Sequence, residues 1–426
     1  MSAVTSKAPP GMIAAPPAFT GWRVVWAAFT VAVFGWGVGF YGPPVFLFAV
    51  HESRGWSIPL VSAAVTCHFL LGALVVANLP AIHRRFGVPG VTRLGGVLSG
   101  LGVLGWALAA VPWQLFAATA LSGAGWAMTG AAAINAMVSP WFIRRRPAAL
   151  STAYNGASVG GVVLSPLWVM LIAWVGFPTT AALIGLTMAA VLWWLSSRYL
   201  AHGPAALGQQ PDGEAAPAAT TTHATPTIAP MPARGLWRER RFLTLTLGST
   251  LGLFAQVGLI AHLLSMLVAP LGAQRAGLVA GMMTVCAILG RTGMGWVLRP
   301  GVNRRHAAAG NYALQLTGSL VLLAAGGADV ALLLLGIALF GLGLGNATSL
   351  PPLIAQTDFA PADTARAVAL ITACGQAAYA FAPAGFGLLR AVDPALIFIL
   401  AAALQGLAAV VLVAGRPPAP DAEAQR

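Results

Sequence analysis

Long apolar runs alternate with short polar turns along almost the whole chain. About 20 apolar residues in helical form cross the hydrocarbon core of a bilayer. By that measure, spans fall near residues 22–50, 57–82, 91–111, 113–139, 147–175 and 177–200. A second set follows near 241–269, 274–298, 306–327, 329–354, 364–390 and 394–415. The runs are long and rich in Ala, Leu and Gly, which suits helices rather than the short alternating strands of a membrane barrel. The expectation is an all-α integral membrane protein of twelve transmembrane helices in two six-helix bundles, residues 21–200 and 241–415. Between them, "HGPAALGQQPDGEAAPAATTTHATPTIAPMPARG" has no apolar periodicity and reads as a disordered linker over 201–240. Residues 1–20 and 416–426 read as tails.

Composition agrees with the pattern. Only 8% of the 426 residues are charged and 58% are hydrophobic, with a mean hydropathy of +0.81. Soluble domains carry about 25% charged residues, so this chain cannot cover a large soluble surface. The net charge of +13 raises the question of nucleic acid, but the arginines are placed for membrane orientation and no nucleic-acid partner is expected. Arg84, Arg85 and Arg93 follow span 2, Arg144, Arg145 and Arg146 follow span 4, and Arg299, Arg304 and Arg305 follow span 8. Arg198, Arg234, Arg238, Arg240 and Arg241 flank the linker, while the opposite loops hold Arg54, Arg275 and Arg390. The positive-inside rule then makes the termini and linker cytoplasmic, in a plasma membrane of bacterial type. Cys67, Cys286 and Cys374 lack metal-ligand spacing and fall within spans, so neither disulfide, metal nor cofactor is expected.

The two halves resemble each other faintly. "PAIHRRFG" and "GWVLRPG" place an Arg-bearing turn at the ends of spans 2 and 8, and Pro166 and Pro383 lie at matching depth in spans 5 and 11. Internal similarity of this kind marks transporters built from repeats, with the site between the halves.

With these features the whole chain resembles the major facilitator superfamily. Its segment "WFIRRRPAALSTAYNGASVGG" resembles the signature of the monocarboxylate porter and oxalate/formate antiporter group. Trp141, Phe142, Arg144, Arg145, Arg146, Ala149, Ala153, Gly156, Val159 and Gly160 fit it. "TGWRVV" loosely resembles the group's entry to the first helix. Arg291, in "AILGRTGMGW", falls where these families carry an arginine that pairs with a substrate carboxylate. Three positions depart from the pattern. The aspartate that commonly precedes that arginine by a turn is Ala287 here. The lysine of the oxalate exchanger type is absent from span 11, which offers Gln376. In the loop after span 2, Pro80 and Arg84 replace the usual Gly and Asp. The resemblance implies a secondary transporter, working as a monomer by alternating access.

No Asp or Glu lies in the middle third of any span. A buried charge costs at least about 2.5–3.5 kcal/mol in a membrane, so Arg291 needs water, carbonyls or an anionic ligand. Its forked donors match a carboxylate, and a single cation matches a monoanion. The alternative is that it snorkels to the headgroups. Tyr41, Gln256, Gln376, Tyr379 and Asn155 complete the candidate substrate-binding set. Thr372, Gln376 and Tyr379 share one helix face. His68 and His262 are candidates for proton coupling, with a neutral imidazole bonded to a neighbouring helix as the alternative. Arg84, Arg85, Arg144, Arg145, Arg146, Asn135 and Asn346 are candidates for the cytoplasmic gate, the two asparagines also for plain interhelical bonding. "GLGLGN" and the other glycine-rich stretches read as close helix packing; no nucleophile–base pair points to an enzyme.

The leading expectation is a transporter of a small organic monoanion, by proton symport or anion exchange. An efflux antiporter for hydrophobic or drug-like compounds is the alternative, although span 4 lacks an arginine and span 5 lacks a Gly-Pro pair, both usual in that group.

Overall fold

Prolines and glycines set where the helices start, bend and stop. In a computed structural model, residues 19–213, 233–298 and 301–415 are described, and their regular structure is helical with no strand among them. The first half holds α1 (Gly21–Gly39), α2 (Gly42–Arg54), α3 (Ile58–Leu108), α4 (Pro112–Thr129), α5 (Ala131–Val138), α6 (Arg146–Val175) and α7 (Phe177–Leu195). After the short α8 (Ala233–Leu236) come α9 (Arg240–Leu271), α10 (Ala273–Val297), α11 (Arg304–Ala324) and α12 (Val330–Leu344). The second half ends with α13 (Asn346–Asp358), α14 (Pro361–Tyr379), α15 (Ala382–Val392) and α16 (Ala395–Ala414). Proline occupies the first turn of α2, α3, α4, α6, α7, α14 and α15, where its missing N–H costs nothing.

Ten helical stretches among the described residues are long and apolar enough to cross a membrane. The difference from the expected twelve has two sources. The first is α3, 51 residues long, which as a straight rod would measure about 77 Å. It doubles back instead: His68 and Trp106, about 57 Å apart on a straight helix, both hydrogen-bond the Ser122 hydroxyl, at 2.8 and 3.1 Å. The reversal is at Gly87, whose φ of 68° and ψ of 162° lie outside the helical region; a side chain there would be strained. The second is the stretch 112–138, which Gly130 divides into α4 and α5. Three more of the spans expected to be continuous are broken, at Phe40–Tyr41, Gly345 and Ala380–Phe381. Two of those breaks precede Pro43–Pro44 and Pro383, which cannot donate to the preceding turn.

The packing repeats between halves. α1 lies on α6 and α3 on α7; likewise α9 lies on α14 and α11 on α16. The halves meet along α6–α10, α3–α15 and α2–α9. The close approaches are at one end. A methyl on Gly277 would meet Val169 at 2.9 Å, one on Gly387 would meet Ser62 at 2.5 Å, and the Ala384 N–H donates to Thr66 at 3.0 Å. Toward the opposite end, which carries Arg84, Arg85 and Arg144–Arg146, facing side chains such as Asn155 are exposed. A cleft therefore opens at the basic end.

The outer surface suits lipid. Trp113, Trp174, Trp193, Trp194 and Trp296 are exposed near helix ends, where an aromatic belt is expected. The start of the linker is ordered rather than loose. Asp212 accepts from the backbone N–H groups of Ile143, Arg144 and Arg145 at 3.1, 2.9 and 3.1 Å, and Gln209 accepts from Thr20 N–H at 3.0 Å. The remainder, residues 214–232, lies outside the described residues, as do the tails 1–18 and 416–426.

Candidate functional site

The site is assembled where α10 crosses α12 on one side and α6 on the other. Glycines bring α10 and α12 together: a Cβ on Gly341 would meet the Met283 carbonyl at 2.8 Å, and one on Gly345 would meet the Ala287 carbonyl at 2.5 Å. Gly290 likewise presses on the Leu342 carbonyl. This close crossing presents Arg291, half-buried, to the break between α12 and α13. Its Nε–H donates to the Gly345 carbonyl at 3.2 Å. The terminal nitrogens have no hydrogen-bond partner among the described residues, and no carboxylate pairs with this arginine. A bond through Nε fixes the plane of the guanidinium and leaves its forked end available, the geometry that receives a carboxylate through two parallel bonds.

Tyr41 faces this group from the first half. It sits at the break between α1 and α2, its hydroxyl reaches the Thr284 side chain, and it lies in the field of the Arg291 charge. Gly161 of α6 makes room for the meeting, since a methyl there would be 2.7 Å from both Tyr41 Cε2 and Thr284 Cγ2. Tyr41, Gly161, Thr284, Arg291 and the Gly345 carbonyl thus converge between the halves. Asn155 is exposed on α6, about 9 Å along the axis from Gly161; Arg291 is about 10 Å from Thr284 in the same direction. The two therefore stand at similar depth along the open cleft.

The other candidates are spread around this centre. Gln256 is buried, donates to the Leu344 carbonyl at 3.2 Å and keeps its Oε1 without a partner among the described residues. It supports the α12–α13 break from behind. Tyr379 packs edge-on against Phe69 of the opposite half, with ring centroids 5.7 Å apart. Gln376, one turn earlier on α14, is half-buried. Asn346 ties helices together, donating to Asn311 Oδ1 at 2.9 Å and the Gly290 carbonyl at 3.3 Å. Asn135 accepts from the Ser139 hydroxyl at 2.6 Å.

Both histidines are buried and engaged. His68 bonds Ser122 through Nδ1 at 2.8 Å and the Gly39 carbonyl through Nε2 at 2.9 Å. The carbonyl can only accept, so Nε2 carries the hydrogen, while the Ser122 hydroxyl, which also reaches the Thr119 carbonyl at 3.3 Å, fills the Nδ1 side. His262 donates through Nε2 to the Pro383 carbonyl at 3.0 Å, and Arg390 approaches its Nδ1 at 3.4 Å. Arg390 also donates to Ser265. Arg390, expected in an outer loop, is half-buried in the last turn of α15. Among the loop arginines, Arg84 and Arg85 are exposed, Arg85 lying over the Phe86 ring at 5.3 Å. Arg146 ties the α5–α6 loop to the Phe142 carbonyl at 2.9 Å. The backbone amides of Arg144 and Arg145 hold Asp212, whose carboxyl is thereby kept below its ordinary range; desolvation opposes this, and the three backbone amides with the Arg144 charge outweigh it. Thr284, Gly161 and the Gly345 carbonyl are not among the residues the sequence pattern singles out; only "GLGLGN" and "SVGG" point to close backbone approach.

An all-helical, multi-pass membrane body in two like halves, with a polar site in the cleft between them, is the build of a transporter rather than an enzyme. The chain belongs to the Major Facilitator Superfamily, whose family model matches residues 27–383. It is 28% identical over 292 residues to Monocarboxylate transporter 11 of Mus musculus, covering 66% of this chain and 60% of that protein. It is 29% identical over 294 residues to Monocarboxylate transporter 13 of Bos taurus, covering 65% and 61%. The match thus spans about three fifths of the length of these curated relatives. In fold it is similar to the crystal structure of the nucleoside transporter NupG (TM-score 0.66, 12% identity, 93% of this chain and 98% of that one). It is also similar to a POT family transporter in complex with a thioalcohol-conjugated peptide (TM-score 0.67, 15% identity, 92% and 96%).

Proposed function

We propose that this transporter carries a small organic monoanion, a monocarboxylate, by alternating closure of the two ends of the cleft. The observation that carries the reading is Arg291: a cation between the halves, oriented through Nε by a carbonyl, with its forked end unbonded and no carboxylate pairing it among the described residues. One positive charge matches one negative charge. Tyr41 and Asn155 from the facing half supply neutral donors, so an anion held by Arg291 links the halves. The curated relatives, named as monocarboxylate transporters, point the same way.

In this reading the chain crosses the membrane twelve times, with α3 counted as two crossings and α4–α5 as one. The basic end faces the cytoplasm of a bacterial-type inner membrane, by the placement of arginines. The cleft is then inward-open. His68 and His262 act as ties between helices: His68 is buried between Ser122 and the Gly39 carbonyl, and a proton on His262 Nδ1 would face the Arg390 guanidinium. Coupling is by anion exchange or by a proton that bypasses these rings. Uptake into proteoliposomes, across a panel of mono- and dicarboxylates with and without internal anion and pH gradient, tests the reading. Monocarboxylates are expected to be carried and to depend on Arg291; transport of none of the panel would overturn it.

A further inference from the structure

A second cavity lies behind Arg291, on the opposite face of α10. Among the described residues α10 and α11 have no extended contact, and α12–α13 packs against both and closes the gap between them. This leaves a crevice of about 390 Å³. Its walls are apolar, formed by Leu289, Met294, Val297 and Leu314, with Gly293 and Gly310 as flat strips. Both glycines have open space where a side chain would stand. Leu289, Gly293, Trp296 and Val297 lie on the α10 face turned away from Thr284 and Arg291. Leu289 is 60% and Trp296 73% exposed, so the crevice opens onto the apolar outer surface and not into the cleft.

The floor is polar. Asn311 and Asn346 line it, and the Asn346 Oδ1 is buried with no partner among the described residues. Its Nδ2 is already committed to Asn311 and the Gly290 carbonyl. Buried amide oxygens are almost always bonded, and a mostly apolar pocket with a few convergent polar groups is the usual form of a ligand site. The volume is near the lower end of the roughly 300–1,000 Å³ seen for such pockets, which suits one slender chain rather than two.

We propose that this crevice binds a single-chain amphiphile carrying a hydroxyl, entered from the bilayer. The chain lies along Gly293 and Gly310, and the hydroxyl donates to Asn346 Oδ1. Because Asn346 directly follows Gly345, the occupant braces from behind the break whose carbonyl orients Arg291. The site does not depend on which anion the cleft carries.

Photolabelling of the full chain in nanodiscs tests this, using a diazirine-bearing long-chain alcohol and, in parallel, its methyl ether. The alcohol is expected to label peptides covering 289–297 and 307–314 about two- to tenfold more than the ether does, the range one net hydrogen bond supplies. Other lipid-facing helices serve as the reference, labelling alike with both probes. The double variant Gly293→Leu, Gly310→Leu fills the space and is expected to lose the crevice label with its unfolding temperature maintained. Equal crevice labelling by alcohol and ether in the native chain overturns the proposal. So does undiminished crevice labelling in the filled variant.

Discussion

Replacing Gly345 by alanine tests the crossing of α10 and α12 at its tightest point. The backbone there, at φ −65° and ψ −22°, accepts alanine without strain, so the effect comes from the added methyl alone. That methyl would stand 2.5 Å from the Ala287 carbonyl and 3.3 Å from Arg291 Nε. The first contact is with backbone of a packed helix, which cannot swing aside as a side-chain tip does. Overpacking of this kind costs about 1–3 kcal/mol, against a gain in helix propensity of at most about 1 kcal/mol. If the helices part, the Nε–H···O bond that orients the guanidinium is also lost, worth about 1.5–3 kcal/mol for a charged donor. A net loss of about 1–3 kcal/mol at the site corresponds to a transport efficiency lowered about 5- to 150-fold. Gly293→Ala, on α10 half a turn beyond Arg291, is the matched contrast, because nothing lies within 4 Å of its added methyl. It should transport normally and unfold at the same or a slightly higher temperature. Initial rates in proteoliposomes over a range of substrate concentrations decide the matter. If Gly345→Ala stays within about twofold of the native kcat/KM, the reasoning that the crossing positions Arg291 is refuted.

Three further outcomes are expected. Gly161→Ala should raise KM, since its methyl would press Tyr41 and Thr284 apart at 2.7 Å; unchanged kinetics would remove Tyr41 from the site. His68→Gln should keep transport with the same response to a pH gradient, the amide replacing part of the Ser122 and Gly39 bonding; a lost gradient response would return His68 to the coupling role. Asp212→Asn should speed proteolysis of residues 201–213 by freeing the linker from the α5–α6 loop. Because that carboxyl is held below its ordinary 3.8, its docking contribution is complete above about pH 4 and fades only as pH falls through the depressed value. Proteolysis of the native chain should therefore be flat from pH 8 to pH 5, and a steep rise across that range would contradict the assignment.

How much of this was readable beforehand depends on what kind of group carries each feature. The spans were readable because membrane helices announce themselves by long apolar runs, and Arg291 because a charge in such a run must be explained. The breaks at Tyr41 and Ala380–Phe381 were marked by Pro43, Pro44 and Pro383, yet proline inside α6, at Pro166, produces no break; only the packed neighbours decide. The reversal at Gly87 was visible as a basic turn but not as a single residue. What holds Arg291 is a backbone carbonyl, and a carbonyl has no letter of its own. The bonding of His68 was hidden for a related reason, since its partners, Gly39 and Ser122, are distant in the chain and common in type. The docking of Asp212 lay inside a segment whose composition suggests disorder, and three backbone amides on a remote loop determine it.

The central claim is that Arg291 receives the carboxylate of the transported monoanion. Equilibrium binding of a radiolabelled monocarboxylate identified by the uptake panel, to purified native protein and to Arg291→Gln, measures this with no contribution from coupling or turnover. Two charge-assisted hydrogen bonds at about 1.5–3 kcal/mol each predict affinity lowered at least about 100-fold in Arg291→Gln, with Arg291→Lys retaining part of it. Equal affinity in native protein and Arg291→Gln, with both folded, would contradict the account.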